Sequence, residues 1–283
     1  MTNEQAAARA FSQQALVFDA LDAGNAIIAY KRQRVRDHVL RYLPEGSSIL
    51  ELNAGTGEDA IFFARKGHWV HATDISGGMQ ETLGEKIERA GVAGGVGLTG
   101  QGGLTGRVTR ELCSFTELGS LRERGPYDLI FSNFAGLNCT DELGKVLRSF
   151  DPLLKPGGQV TLAILPKFSL WESLLVFRGK FRTATRRWSS WFGNNGARSH
   201  VEGHYFRCWY YSPGYVIKEL GNGYELLGLE GLCTMVPPSY IEHFAERYPG
   251  WYRRLCRWED RWKGAWPWRN IGDYYIISFR KKG

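Results

Sequence analysis

Apolar positions along this chain follow two rhythms. Phe11, Phe18 and Leu21 recur at helical spacing and predict a helix over residues 4–21, which Asp22-Ala23-Gly24-Asn25 ends. Ile27, Ile28, Val35, Val39, Leu40 and Leu43 predict a second over 26–43, with Lys31, Arg32, Arg34 and Arg36 on its other face. From residue 48 the pattern shortens. Apolar runs at about 48–52, 69–73, 107–112, 128–132, 159–165, 225–231 and 274–279 read as strands. Helical stretches at about 58–66, 78–90, 141–149 and 213–220 separate several of them, which predicts an α/β protein with a doubly wound parallel sheet.

The first strand and the turn after it carry the chemistry. Ile49-Leu50-Glu51-Leu52-Asn53-Ala54-Gly55-Thr56-Gly57 is a strand running into a glycine turn, and a helix begins near Glu58. Gly55 and Gly57 let the backbone approach a ligand where a Cβ would clash. The helix turns its free N–H groups toward the same crevice. The next strand ends at Asp74, placed to accept two hydrogen bonds from a ribose diol. A dinucleotide pattern is matched only weakly, by Gly55, Gly57 and Ala60.

A second pattern fits better. It is an acidic residue at the end of strand one followed by x-x-x-Gly-x-Gly, here Glu51 to Gly57. Asp74-Ile75-Ser76-Gly77-Gly78-Met79, Tyr127-Asp128-Leu129-Ile130-Phe131-Ser132-Asn133 and Leu154-Lys155-Pro156-Gly157-Gly158 come after it in order. With these four motifs, residues 45–165 resemble the class I S-adenosylmethionine (SAM)-dependent methyltransferases that act on small molecules. The resemblance implies a Rossmann-like seven-stranded sheet with an antiparallel last strand, and SAM as cofactor.

The resemblance also implies site roles. Glu51, Gly55 and Gly57 would surround the methionine part, Asp74 would hold the ribose, and Ile75 and Met79 would pack on adenine. Cys113-Ser114-Phe115 stands where the family usually has an acidic residue, so Ser114 or a backbone N–H would meet the adenine edge instead. Asn133 and Phe134 would line the sulfonium, and Tyr30 and Lys31 would close over the cofactor carboxylate. Asn53 replaces a usual glycine; it is either a tolerated left-handed residue or a side chain facing the ligand.

Composition adds limits. The chain has 283 residues, a net charge of +7 and five cysteines without a C-x-x-C pair, so neither a disulfide framework nor a zinc site is expected. The start, Met1-Thr2-Asn3-Glu4-Gln5, shows no secretory pattern and no apolar run is long enough to span a membrane, so a cytoplasmic protein is expected. Residues 91–106 are glycine-rich and are read as a loop.

The expected organisation is an N-terminal helical lid (1–45), a cofactor-binding core (46–165, continued at 212–232 and ending in strand 274–283), a basic aromatic cap insert (166–211) and a helical cap insert (233–273). Residues 167–211 hold eight Lys/Arg against Glu172 and Glu202, nearly the whole charge surplus. Nine of the ten tryptophans lie in the two inserts. Both inserts leave the carboxyl ends of strands, where open α/β sheets bind ligands, so they are expected to roof the methyl group. In the second, Ile241, Phe244, Tyr248, Trp251, Leu255, Trp258 and Trp262 form a helical apolar face that Pro249-Gly250 divides.

Methyl transfer needs alignment, exclusion of water and, for some acceptors, a base. His204, His200 and Tyr205 are the base candidates; no metal is expected. The chain lacks the Pro-Pro-aromatic signature of base-amino methylation after strand four, so a small or lipid-like acceptor, aromatic, acidic or amphipathic, is expected rather than nucleic acid. Oxygen is placed before nitrogen as the methylated atom. The basic aromatic insert also suits an anionic membrane surface. An RNA-directed methyltransferase and a non-catalytic SAM-binding protein remain alternatives.

Overall fold

The computed structural model describes residues 1–92, 98–99, 105–179, 185–187, 196–241 and 243–283. Lys180, Arg182, Trp188 and Trp191 of the first insert, and most of the glycine-rich stretch, lie outside the described residues. Two helices open the chain, α1 (Asn3–Asp22) and α2 (Ala26–Leu40). Thr2 and Gln5 cap α1 reciprocally, side chain to backbone. Asn25 begins α2 by accepting from the Ile27 and Ile28 amides. Next come β1 (Ser48–Leu52), α3 (Glu58–Arg65), β2 (Trp69–Asp74), α4 (Gly77–Ala90), β3 (Leu98–Thr99), β4 (Thr105–Leu112), β5 (Tyr127–Ser132), α5 (Leu143–Arg148) and β6 (Leu154–Ile164). The rest is α6 (Leu170–Leu174), β7 (Ala197–Val201), β8 (His204–Cys208), α7 (Pro213–Leu220), β9 (Tyr224–Leu232), α8 (Phe244–Arg247), α9 (Pro249–Trp262) and β10 (Tyr274–Lys281).

The main sheet runs β3-β4-β2-β1-β5-β6-β10-β9. Strands β4, β2, β1, β5 and β6 are parallel, and β10 is antiparallel to both of its neighbours. These are the seven strands the sequence predicts, extended at one edge by the two-residue β3. Helices on both faces explain why the central strands are almost wholly apolar. Leu50, Leu52, Ile130 and Leu162 face one core with α5 and α7, while Ile49, Val70, Leu129 and Phe131 face the other with α2, α3 and α4. The chain runs outward from β1 to β2 and β4 and then returns to β5. A switch point, and with it a crevice, therefore opens at the carboxyl ends of β1 and β5.

The inserts depart from the sequence reading. The first contains a hairpin, β7 against β8, that no periodicity announced. It also contains the short α6. Arg187 is buried against Glu172 and Asp273, and Arg186 pairs with Glu172, so part of the expected surface charge is neutralised internally. In the second insert, Pro249 starts α9 as expected, but the helix is rotated. Tyr252, Leu255 and Cys256 pack inward, while Trp251, Trp258 and Trp262 stay about half exposed. The cause is Glu259, whose carboxylate accepts from the amides of Cys233, Thr234, Met235 and Val236 and so holds that side of α9 down.

A buried ionic cluster ties α2 to β9. Glu230 accepts from Arg34 at 3.1 Å and Arg41 at 2.7 Å, with His38 at 3.1 Å and Lys263 at 3.4 Å. Burial by itself would raise its pKa, but His38, Arg41 and Lys263 outweigh burial and hold it well below the usual range. A depressed carboxylate stabilises the fold fully above its ordinary pKa of about 4 and progressively less below it. Glu230→Gln should cost about 3–5 kcal/mol at neutral pH in urea unfolding. The gap from the parent protein should narrow on acidification; a pH-independent gap would contradict the assignment.

Candidate functional site

A partly open cleft occupies the crevice at the carboxyl ends of β1, β2 and β5. Its floor is the turn after β1. Asn53 is left-handed there (φ 47°), as are Gly55 (φ 56°) and Gly57 (φ 79°). The Asn53 amide donates to Asn133 O at 2.9 Å, and its oxygen accepts from Ser132 at 2.6 Å. Asn53 thus does two things: the turn tolerates it in the left-handed region, and its side chain lines the cavity while tying β1 to β5. Gly57 stands outside the cavity lining, but its left-handed backbone disfavours a side chain, and a Cβ there would lie 2.0 Å from Leu83 Cδ1, so the buried Leu83 side chain would have to shift.

Carboxylates set the electrostatics. Asp74 accepts from the Gly55 amide at 2.9 Å and the Ser76 amide at 2.8 Å, which orients its remaining lone pairs. Burial raises its pKa, and those amides oppose the shift. Glu51 is buried, and burial first, then the neighbouring Asp59, push its pKa well above the usual range. One Glu51 oxygen has no hydrogen-bond partner among the described residues. Asp59 is a junction: it accepts from Arg32 at 3.0 Å, Arg36 at 2.7 Å and Asn133 at 2.8 Å. Among the described residues, five acids line the cavity (Glu4, Glu51, Glu58, Asp59, Asp74) against the single cation Arg32. Past β5, Phe134 (φ 48°) and Ala135 (φ 63°) are both left-handed, the backbone strain that functional sites often hold. Arg32 lies 4.6 Å from the centre of the Phe134 ring.

The cover comes from α1. Ala7, Ala8, Phe11 and Phe18 form an apolar wall opposite Ile75, Met79 and Phe115. Gly78 allows this approach, because a Cβ there would lie 2.6 Å from Ser12 O, and Ser12 and Ser76 share a 2.8 Å hydrogen bond. Asp19 holds the far end through Thr56 at 2.6 Å and Lys86 at 2.6 Å. Near the helix start, Glu4 accepts from Ser114 at 2.6 Å and Thr116 at 2.9 Å. An acidic group thus does stand beside the end of β4, delivered from α1.

The structure gathers Glu51, Asn53, Gly55, Asp74, Ile75, Met79, Phe115, Asn133 and Phe134 around one cavity. It leaves others out. Cys113 is buried beneath the turn and directs its thiol at the Ser114 and Glu117 carbonyls. Ser114 reaches the site only through Glu4. Lys31 points to Ser239 at 3.1 Å and Asp273 at 3.7 Å, and Tyr30 accepts from Arg34. One step along α2, Arg32 takes the place expected of them. His200, His204 and Tyr205 lie on the β7–β8 hairpin away from the cavity, His200 ring to ring with Tyr205 at 4.5 Å. Strand alternation turns Tyr205 and its partner His200 outward, whereas His204 shares the inward face with Phe206 and Cys208, which pack toward α1 beyond the cavity lining. Among the described residues, neither a histidine, a tyrosine nor any residue of the two inserts lines the cavity. Among the described residues the cover is supplied by α1, within the segment 1–45 read as a lid, and not by the inserts. The helical lid itself was expected, but the particular α1 lining residues and Arg32 were missed, because periodicity identifies a helix but not which neighbour its stripe meets.

The family model for a methyltransferase domain matches residues 27–219. The chain belongs to that family, the class I SAM-dependent methyltransferases. No curated protein matches it in sequence. Among solved structures it is similar to a putative SAM-dependent methyltransferase from Listeria monocytogenes, with TM-score 0.56 and 15% identity over 88% of this chain and 96% of that one. It is also similar to a Burkholderia thailandensis 1,6-didemethyltoxoflavin-N1-methyltransferase, solved with that compound and S-adenosylhomocysteine, with TM-score 0.54 and 13% identity over 99% and 88%. The [4+2]-cyclase SpnF is similar as well, with TM-score 0.52 and 19% identity over 88% and 80%. At these identities the likeness is one of fold, and the cyclase shows that the fold alone does not dictate the reaction.

Asp59→Ala should cost about 3–5 kcal/mol, because it takes from Arg32 and Arg36 the buried carboxylate that both are built around. Chemical denaturation checks this, and a loss below about 1 kcal/mol would show that the junction is not structural.

Proposed function

We propose that this enzyme binds SAM at the β1–β2–β5 crevice and methylates a small, largely apolar acceptor beneath α1. The observation that carries the reading is the acid-lined cavity with one unpartnered, buried Glu51 oxygen. An isolated carboxylate oxygen there suits an ammonium donor, and an excess of acids suits a sulfonium. When bound, SAM supplies an electrophilic methyl on sulfur, which departs as the neutral thioether of S-adenosylhomocysteine.

The protein's own part is binding and alignment. Asp74, already oriented by two backbone amides, is placed to accept from a ribose diol. Ile75, Met79 and Phe115 offer an apolar slot for a purine, with the Glu4 carboxylate within the same wall. Glu51 would take the amino group, and Arg32 is the lining cation for a carboxylate. Phe134 and the α1 phenylalanines exclude water, which favours dispersal of the sulfonium charge. Holding nucleophile and methyl in line supplies much of the rate.

The same electrostatics reorder the acceptor. With no imidazole or phenol among the described lining residues, an acceptor that needs no side-chain base is favoured. A neutral nitrogen with a free lone pair meets that condition, and surrounding carboxylates would stabilise the cation it becomes. A phenolate or acidic acceptor would meet repulsion. Nitrogen therefore goes before oxygen. The B. thailandensis neighbour, an N1-methyltransferase on a small heterocycle by name, is in keeping with this.

Calorimetric titration tests the cofactor. SAM and S-adenosylhomocysteine should bind at micromolar Kd and NAD should not, and Asp74→Ala should weaken binding about 100-fold. Binding of NAD alone would remove the methyltransferase reading. The raised Glu51 pKa adds a pH signature: apo Glu51 is partly protonated as pH falls, so SAM affinity should decline on acidification. Glu51→Gln should bind more weakly and lose that slope; an unchanged slope would take Glu51 out of the cofactor contact.

A further inference from the structure

The rotation of α9 leaves an aromatic stripe that the fold does not use. On a helical projection Trp251, Trp258 and Trp262 fall within about 40° of one another. They are 54%, 47% and 44% exposed, and Trp266 beyond the helix end is 76% exposed. Tyr248, 47% exposed, continues the stripe at the other end. A surface helix usually spends such side chains on the core; grouped exposure of this size marks a contact site.

The charge beside the stripe is of one sign. Arg253, Arg254, Arg257 and Arg261 are exposed on α9; Arg254 and Arg261 adjoin the stripe, and Arg257 and then Arg253 continue the solvent-facing side farther round. Among the described residues none of the four is in an ion pair, and Arg254 and Arg261 instead lie over the Trp251 and Trp262 rings at 5.2 and 5.7 Å. The nearby acids are already taken. Glu259 is buried on four backbone amides, Asp260 pairs with Arg34 and Lys263, and Glu246 pairs with His243.

We infer that α9 is a docking surface for an anionic phospholipid bilayer, lying flat with its tryptophans at headgroup depth and its arginines on lipid phosphates. Indole rings combine an apolar body with one N–H donor, which suits the wet boundary of a membrane. Cations beside them complement an anionic surface, and a straight helical ridge suits a plane. The helix has the firm base such contact needs, because the Glu259 clamp and the packing of Tyr252, Leu255 and Cys256 on Ile27, Tyr30 and Val236 fix its orientation. This site differs from the basic insert that the sequence points to as a membrane contact, where Arg186 and Arg187 spend charge on Glu172 and Asp273. It does not depend on which acceptor the enzyme uses.

Co-sedimentation with lipid vesicles tests it. The full-length protein should bind phosphatidylcholine vesicles containing about one-quarter phosphatidylglycerol and not pure phosphatidylcholine. Raising NaCl from about 0.05 to about 0.5 M should weaken binding at least about tenfold. Replacing the four arginines with glutamine should weaken it by about fivefold per charge. The double variant Trp258→Ser, Trp262→Ser should lose at least about tenfold. Both should keep SAM binding and circular dichroism, which separates loss of the surface from loss of the fold. Failure of the parent protein to bind anionic vesicles overturns the inference. So does undiminished binding by both variants, or a parent protein that ignores vesicles but self-associates through these tryptophans.

Discussion

Asp59 is the constraint on which the site depends. It is a buried carboxylate at the start of α3, and it must be paired to be tolerated there. Arg32 and Arg36 from α2 and Asn133 from the end of β5 all converge on it. That convergence positions α2 against the glycine turn and aims Arg32 into the cavity. It also holds Asn133 at the base of the strained Phe134-Ala135 pair. Removing the carboxylate would release three elements at once, not one hydrogen bond.

Around this junction the fold divides its work. The sheet presents Glu51, Asp74 and the turn amides with little freedom, because β1, β2 and β5 are buried on both faces. Helix α1 closes the cavity by weaker means: small alanines on Phe206, a serine pair at α4, and carboxylates at its two ends holding Ser114, Thr116, Thr56 and Lys86. Few large apolar side chains of α1 enter a core, and several face the cavity instead. Such an element is suited to cover a ligand, since its packing improves when the cavity is filled.

The inserts show how polar contacts can outweigh apolar periodicity. The stripe Tyr248-Trp251-Trp258-Trp262 is the stronger sequence signal in α9, yet the flank next to it is the one buried, because Glu259 satisfies four backbone amides in the turn after β9. Leaving those amides unpaired would cost more than leaving indole rings half exposed. In the first insert Arg187 is drawn inside by Glu172 and Asp273, which sequence charge counting registers as surface.

Sequence alone determined what depends on local pattern. Strand and helix positions in the core, the left-handed turn at Asn53–Gly57 and the acidic ends of β1 and β2 were all legible, because period, glycine placement and strand ends are properties of neighbouring residues. The family emerged from the same motifs. Tertiary structure alone decided which side chains complete the cavity. That Arg32 rather than Lys31 enters, that Glu4 stands beside β4, that His200, His204 and Tyr205 lie outside the lining and that Phe11 and Phe18 are the lid residues facing the cavity all rest on contacts between residues far apart in the chain. Nothing in local spacing encodes those contacts; they are set by which buried charges and amides find partners when the elements pack.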